Sequence, residues 1–348
     1  MTSGPWLLSK RTDLLLFGGS TLAALLFLGV GAVTGDLQSD APLWTWLLTV
    51  VGIDVAHVWA TGWRVLADGQ ELRRRAALYL GVPAIAYAVG VVAYASDPLL
   101  FWRLLAYLAA FHFVRQQYGW VALYRRKNGE SEGRLVDSVA IYASTVGPLV
   151  WWHARLPRRF HWLIAGDFLP GLPPALGTAA MVVMGLALAL YAAKEIGRAR
   201  RGLPLSWGKS LVVASTALTW TLGIVVFDSD YAFTVTNVIT HGVPYFGLVY
   251  VTSRAGSTRP RPWAAGAALF LLPLIVLAFA EEWGWDRFVW HEYGAVFPGR
   301  ALNPGPWALS LLVPLLALPQ ATHYVLDAFV WRVRKENAPA VDALGLAA

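Results

Sequence analysis

From Leu14 to Thr34 the chain reads LLLFGGSTLAALLFLGVGAVT, without a single charged side chain. At about 1.5 Å rise per residue, a helix of that length matches the roughly 30 Å hydrocarbon layer of a bilayer. Nine further apolar segments follow. The predicted spans are 13–34, 42–62, 76–95, 99–124, 135–154, 173–193, 208–227, 230–252, 263–280 and 306–331. The composition agrees: of 348 residues, 57% are hydrophobic and 14% charged, and mean hydropathy is +0.51. A soluble domain carries about 25% charged residues. The chain is therefore too apolar for disorder and lacks the polar surface of a soluble enzyme. The 18 Trp and 13 Tyr suit anchoring at two membrane–water interfaces. With no Cys, disulfides, thiolate metal sites, Fe–S clusters and Cys nucleophiles are excluded. The sequence thus predicts an all-α, polytopic transmembrane bundle of about ten spans. One transmembrane domain covers 1–335, and an Ala-rich tail over 336–348 is expected to be mobile.

Charge sets the orientation. The segments 1–12, 63–75, 125–134, 194–207, 253–262 and 332–348 hold twenty Lys and Arg, and the opposite loops hold five. Basic loops stay cytoplasmic, so both termini are expected inside. The net charge of +7 is thereby absorbed, and no nucleic-acid partner is implied. The outer loops 155–172 and 281–305 are rich in aromatic and charged residues and are expected to lie along the interface. The predicted location is a multi-pass position in a bacterial inner membrane.

Ionisable groups inside a membrane are costly and mark function by default. Four of seven histidines fall inside spans: His57, His112, His241 and His323, on segments two, four, eight and ten. All four segments run from outside to inside. From their outer ends the histidines lie at similar depth, within about 9 Å of one another along the membrane normal. Each has a polar neighbour three or four positions away, on the same helix face. Asp54 precedes His57, Arg115 and Gln116 follow His112, Asn237 precedes His241, and Gln320 and Asp327 flank His323. A metal-bound His donates its second ring N–H to such a partner. Taken singly, each His reads more simply as an interhelical hydrogen bond; together they read as a metal site. Asp54, Asp327, Arg115 and Gln116 are the candidate catalytic groups. Pro244, beside His241, and Pro314 and Pro319, before His323, are expected to break two ligand helices where they line a cavity. His153, His161 and His291 read as interfacial.

Imidazole suits iron, zinc and copper. Four His with carboxylates held back suit a mononuclear ferrous site with positions open for O2. Zinc and copper are the alternatives, haem stands behind them, and direct carboxylate ligation would make the site dinuclear. Desaturase-type histidine boxes are excluded, because no two histidines lie closer than His153 and His161.

The order of motifs resembles the Brp/Blh family, membrane carotene dioxygenases that split β-carotene into retinal. The matching residues are Asp54-Val55-Ala56-His57, Phe111-His112-Phe113, Thr240-His241-Gly242-Val243-Pro244-Tyr245-Phe246, and the last segment from Pro319 through His323 and Asp327 to Arg332. The resemblance covers about four of ten segments. It implies that His57, His112, His241 and His323 ligate iron and that the substrate is lipophilic. Tyr245 stands where the family has a second His, and Arg115-Gln116-Gln117-Tyr118-Gly119-Trp120 has no counterpart there. This chain would then belong to a separate bacterial branch. Tyr245 joins Asn237 and Gln320 as candidates to support the ligands.

A carotenoid-like or other lipid substrate would enter laterally, into an aromatic cavity. Trp59, Phe111, Phe113, Tyr118, Tyr245, Phe246 and Tyr324 are the candidate lining. Two other readings stay open. A haem-binding membrane protein would use the same histidines axially, and a proton-coupled transporter would use the buried His and Asp as a relay. The sequence leaves oligomeric state open.

Overall fold

The structure, a computed structural model, describes residues 6–66, 69–255, 262–331 and 338–346. Every regular element among them is helical. The long helices are α1 (Lys10–Thr34), α2 (Leu43–Val65), α3 (Ala76–Ser96), α4 (Pro98–Lys127), α5 (Arg134–His153), α6 (Pro174–Arg200), α7 (Trp207–Val226), α8 (230–255), α9 (Trp263–Trp290) and α10 (Pro306–Val330). Each matches one apolar segment of the sequence. Their ends follow local rules. Gly35, at φ 88°, closes α1, its N–H bonding the Gly31 carbonyl. Asp97 caps α4 through the Leu99 N–H at 2.9 Å, with Pro98 in the first turn. Ser229 caps α8 through the Ala232 N–H and makes the tight turn from α7 workable.

Eight of these helices are long and apolar enough to cross a membrane; α4 and α8 are long enough but more polar. The difference lies in what they carry. α4 holds Arg103, His112, Arg115, Gln116 and Gln117, and α8 holds Thr234, Thr236, Asn237, Thr240 and His241. Both lie in the interior, where Asn237, His112 and His241 are all buried. By contrast, α1, α3, α6 and α9 turn broad apolar faces outward. Leu26, Leu80, Leu186 and Val276 on them are 63–68% exposed. Such a belt of exposed aliphatics matches a lipid surface rather than water. A helix that is apolar all round fits the periphery of a membrane bundle.

The interior is organised around the four histidine-bearing helices. α2 packs against α8, α9 and α10, while α4 packs against α3, α5, α7 and α10. Pro244 leaves α8 helical, whereas α10 breaks at Ala317 into Pro306–Leu316 and Leu318–Val330. π-helical turns widen α2 at Trp46–Val55, α7 at Thr221–Val226 and α8 at Thr234–Val238. Such turns gather at functional sites.

Three loop or tail expectations change. Within the segment expected to be a mobile tail, Ala338–Ala343 forms helix α11. Val341, Leu344 and Leu346 are buried against Leu7, Trp120 and Tyr124. Three apolar side chains in an Ala-rich stretch suffice to dock it. The first part of the outer loop 281–305 is instead the last turns of α9, with Glu281, Glu282 and Asp286 all buried. Trp59 of α2 holds Glu281 there, its indole N–H donating at 2.8 Å. In 155–172, Phe160 and Phe168 turn inward and pack on Trp152 and Phe233 rather than along an interface.

Candidate metal centre

His57 on α2, His112 on α4, His241 on α8 and His323 on α10 meet at one point. All four are buried, with at most 3% exposed. One ring nitrogen from each can be chosen so that the four lie within 4.8 Å of one another. The rings meet edge to face: centroids are 4.9 Å apart for His57 and His241, 4.8 Å for His57 and His323, 5.1 Å for His112 and His241, and 4.5 Å for His112 and His323. The four-histidine convergence read from depth and helix direction is therefore present, and the cluster could hold a metal ion.

Hydrogen bonds orient the rings. His57 Nδ1 donates to the Ile53 carbonyl at 3.2 Å, which leaves Nε2 as a buried lone pair without a partner. His323 Nδ1 meets Thr61 Oγ1 at 2.7 Å, and Thr61 in turn donates to Asp327 Oδ1 at 3.2 Å. The Tyr245 hydroxyl donates to the same Asp327 oxygen at 2.7 Å and sits 2.5 Å from Thr61 Oγ1. Trp331 Nε1 closes the chain on the Tyr245 oxygen at 3.4 Å. The donors thus run from His323 through Thr61 to Asp327, and His323 Nε2 is left as an acceptor. It faces His112 Nε2 at 3.1 Å. His241 lies flat on Phe113, ring centroids 3.8 Å apart, and neither of its nitrogens has a hydrogen-bond partner.

Unpartnered buried nitrogens are costly, and here they point into a shared space. Such a donor set could hold a metal ion. Ligands at about 2.0–2.2 Å from one ion stand at most about 4.4 Å apart. For a set lying within 4.8 Å to close onto one ion, a pair at that separation must approach by at least a few tenths of an ångström.

The other sequence candidates distribute unevenly. Asp327 and Tyr245 belong to the support of His323. Asp54 Oδ1 lies 3.7 Å from His57 Nδ1, beyond hydrogen-bond reach, and the Ile53 carbonyl takes that position. Gln116 does not serve His112; its Nε2 donates to the main-chain carbonyl of His241 at 2.9 Å and ties α4 to α8. Asn237 turns to the Thr219 carbonyl and Thr236 hydroxyl, away from the His241 ring. It lies in a π-helical turn, where the i to i+5 pattern disrupts the i, i+4 stacking on which the expectation rested. Gln320 makes no hydrogen bond to the four rings. Arg115 is exposed, bonded to the Tyr142 hydroxyl, and does not touch them. Thr61 was not anticipated. It lies four positions after His57, so its place on that face was readable, but its bond crosses to His323.

Beside the cluster lies a cavity of about 720 Å³. Its walls come from α4, the start of α5, α8 and α10. Near the site it is lined by His112, Phe111, Tyr245, Tyr324 and Asp327, and farther along by Arg115, Tyr118, Arg126 and Arg134. Of the expected lining aromatics, Phe111, Tyr118, Tyr245 and Tyr324 face it. Trp59, Phe113 and Phe246 pack in the interior instead. His153, one of the remaining histidines, bonds Tyr107 at 2.8 Å.

No family model, curated protein or solved structure matches the chain.

Proposed function

We propose that this chain is an integral-membrane metalloenzyme: a non-haem iron oxygenase acting on a lipophilic substrate, carotenoid-like or another lipid. In this reading all ten long helices span the membrane with both termini cytoplasmic, α4 and α8 being shielded by the other eight. The observation that carries the reading is the cluster itself: four buried imidazoles from four helices, with three unpartnered nitrogens on His57 and His241. A structural zinc site would need no cavity beside it, and here about 720 Å³ opens onto His112. Iron bound by four neutral imidazoles supplies activation of O2. The residues do the rest. Thr61, Asp327 and Tyr245 fix the His323 ring, Phe113 fixes His241, and Phe111 and Tyr324 form an apolar wall for the substrate.

A bare ion fits better than haem. Rings that meet edge to face at 4.5–5.1 Å leave no plane for a macrocycle between them. The test is isotopic. Membranes containing the protein are incubated with lipid extract under labelled O2 and analysed by mass spectrometry. A labelled product that vanishes in His57→Ala and His323→Ala is expected. Identical product profiles with and without the four histidines, or substrate-dependent flux in liposomes with no new product, would defeat the oxygenase reading.

A further inference from the structure

The cavity is not uniformly apolar, and its second half carries an arrangement that the four-histidine site does not require. Arg115 lies on α4 one turn past His112, twelve positions before Lys127 ends the helix. That is about 18 Å along the axis, too deep for its head to reach water beyond the helix end. Its guanidinium bonds the Tyr142 hydroxyl and lies 4.9 Å above the Tyr118 ring. Tyr118 and Tyr142 are themselves stacked, centroids 5.1 Å apart. Arg134, from the first turn of α5, hydrogen-bonds Tyr118. Two guanidinium groups are therefore held by one pair of tyrosines. Neither has a carboxylate partner among the described residues, and both line the cavity.

Neither acid of the lining is paired with them: Asp327 is held by Thr61 and Tyr245. Glu130 is committed to Lys209 and lies within salt-bridge distance of Arg125 and Arg198. An arginine at membrane depth without a carboxylate partner, as Arg115 is, is costly and calls for an anion; Arg134, exposed in the first turn of α5, adds a second charge at the mouth. Guanidinium matches carboxylate and phosphate through paired N–H donors. Toward His112 the lining changes to Phe111 and Tyr324, which offer a carbon chain an aromatic wall. From Tyr118 to His112 the axial distance is about 9 Å.

We propose that the cavity takes an amphiphile with an anionic head, seated by Arg115 and Arg134, whose chain runs along Phe111 and Tyr324 to the four histidines. This rests on the oxygenase reading for the identity of the site and narrows its substrate class from lipids in general to acidic lipids. A free fatty carboxylate and a phospholipid phosphate share the head chemistry. Arg126 and Ser131, both exposed, line the polar end, and in this proposal either head is drawn in there from the cytoplasmic leaflet.

The experiment is a binding titration on the full-length protein in neutral detergent. The probes are a fluorescent polyene fatty acid and its methyl ester, with phosphatidic acid as competitor. Iron content is measured in parallel. The acid is expected to bind at least roughly tenfold tighter than the ester, as a charge-assisted bond contributes. In the Arg115→Gln/Arg134→Gln double variant that ratio should fall to about one, with ester affinity and iron content unchanged. Arg115→Lys should retain most of the preference, which separates lost charge from misfolding. Competition by phosphatidic acid at equal strength supports an anionic head and assigns the source to phospholipid; failure to compete assigns it to free carboxylate. Equal binding of acid and ester, or a preference that survives the double variant, overturns the proposal. Metal-free protein that still prefers the acid would overturn the oxygenase reading and leave the anion site standing.

Discussion

Thr61 shows what a single hydroxyl does at this site. It accepts from His323 Nδ1 and donates to Asp327, so it holds His323 in the tautomer that presents Nε2 to the centre. Partners of that kind are worth about 10–100-fold in metal affinity. Thr61→Val keeps the shape and removes the relay. It should weaken metal binding by roughly that factor in a competitive chelator titration, with Thr61→Ser close to wild type. Asp327→Asn should fall in the same range, since the amide can replace one acceptor only in part. Unchanged affinity in both would show that His323 is oriented by packing alone. The sequence disclosed the four-histidine cluster, because buried histidines at one depth are a pattern in one dimension. Asp327 was legible as the i+4 neighbour of His323, and Tyr245 as the residue standing where the resembled family has a second His. Asp54, Gln116 and Asn237 do not bond the ring each was paired with, because a neighbour three or four positions away shares a face without sharing a bond. At His57 a main-chain carbonyl was closer, and at His241 a π-helical turn altered the face.

At the scale of helices, the site depends on α2 and α8 approaching closely. Gly242 sits at that crossing. A Cβ there would come within 2.5 Å of the Ile53 side chain and 3.6 Å of His57 Nδ1. Gly242→Ala must push the two helices apart, at about 1–3 kcal/mol for overpacking. The expected outcome is a lower midpoint of thermal unfolding in detergent together with weaker metal binding. A stable variant with full metal content would mean that α2 and α8 can shift without moving their histidines. Helix existence was readable from apolar runs, and all ten appear. The fate of the ends was less so. Glu281 and Glu282 looked like loop because carboxylates at a helix end resemble an exit from the membrane. Trp59, more than two hundred positions away, is what keeps Glu281 inside.

For the whole molecule, a second buried network ties the predicted cytoplasmic ends of α4 to α7. Lys209 of α7 is fully buried and bonds Glu130, Asp137 and Glu195; Asp137 also takes Arg125 and Lys194. In the sequence, Arg125 and Lys194 counted only towards the basic orientation signal, Lys209 fell inside a predicted span, and the acids were not counted. Their pairing needs the three-dimensional neighbourhood of α5, α6 and α7. Removing one partner leaves acids buried and uncompensated, which costs about 3–5 kcal/mol. Lys209→Met should accordingly lower thermal stability by that order while leaving the four histidines, which lie elsewhere in the bundle, able to bind metal in whatever fraction folds. Wild-type stability in this variant would show that water reaches the network.

In the proposed centre His57, His112, His241 and His323 share one transition-metal ion. Elemental analysis of protein purified from iron-replete cells tests it directly. About one iron per chain is expected, falling to near zero in His241→Ala, whose ring has no other hydrogen-bond partner to justify its burial. Protein that folds without bound metal, or an His241→Ala variant that keeps its full metal content, would contradict it.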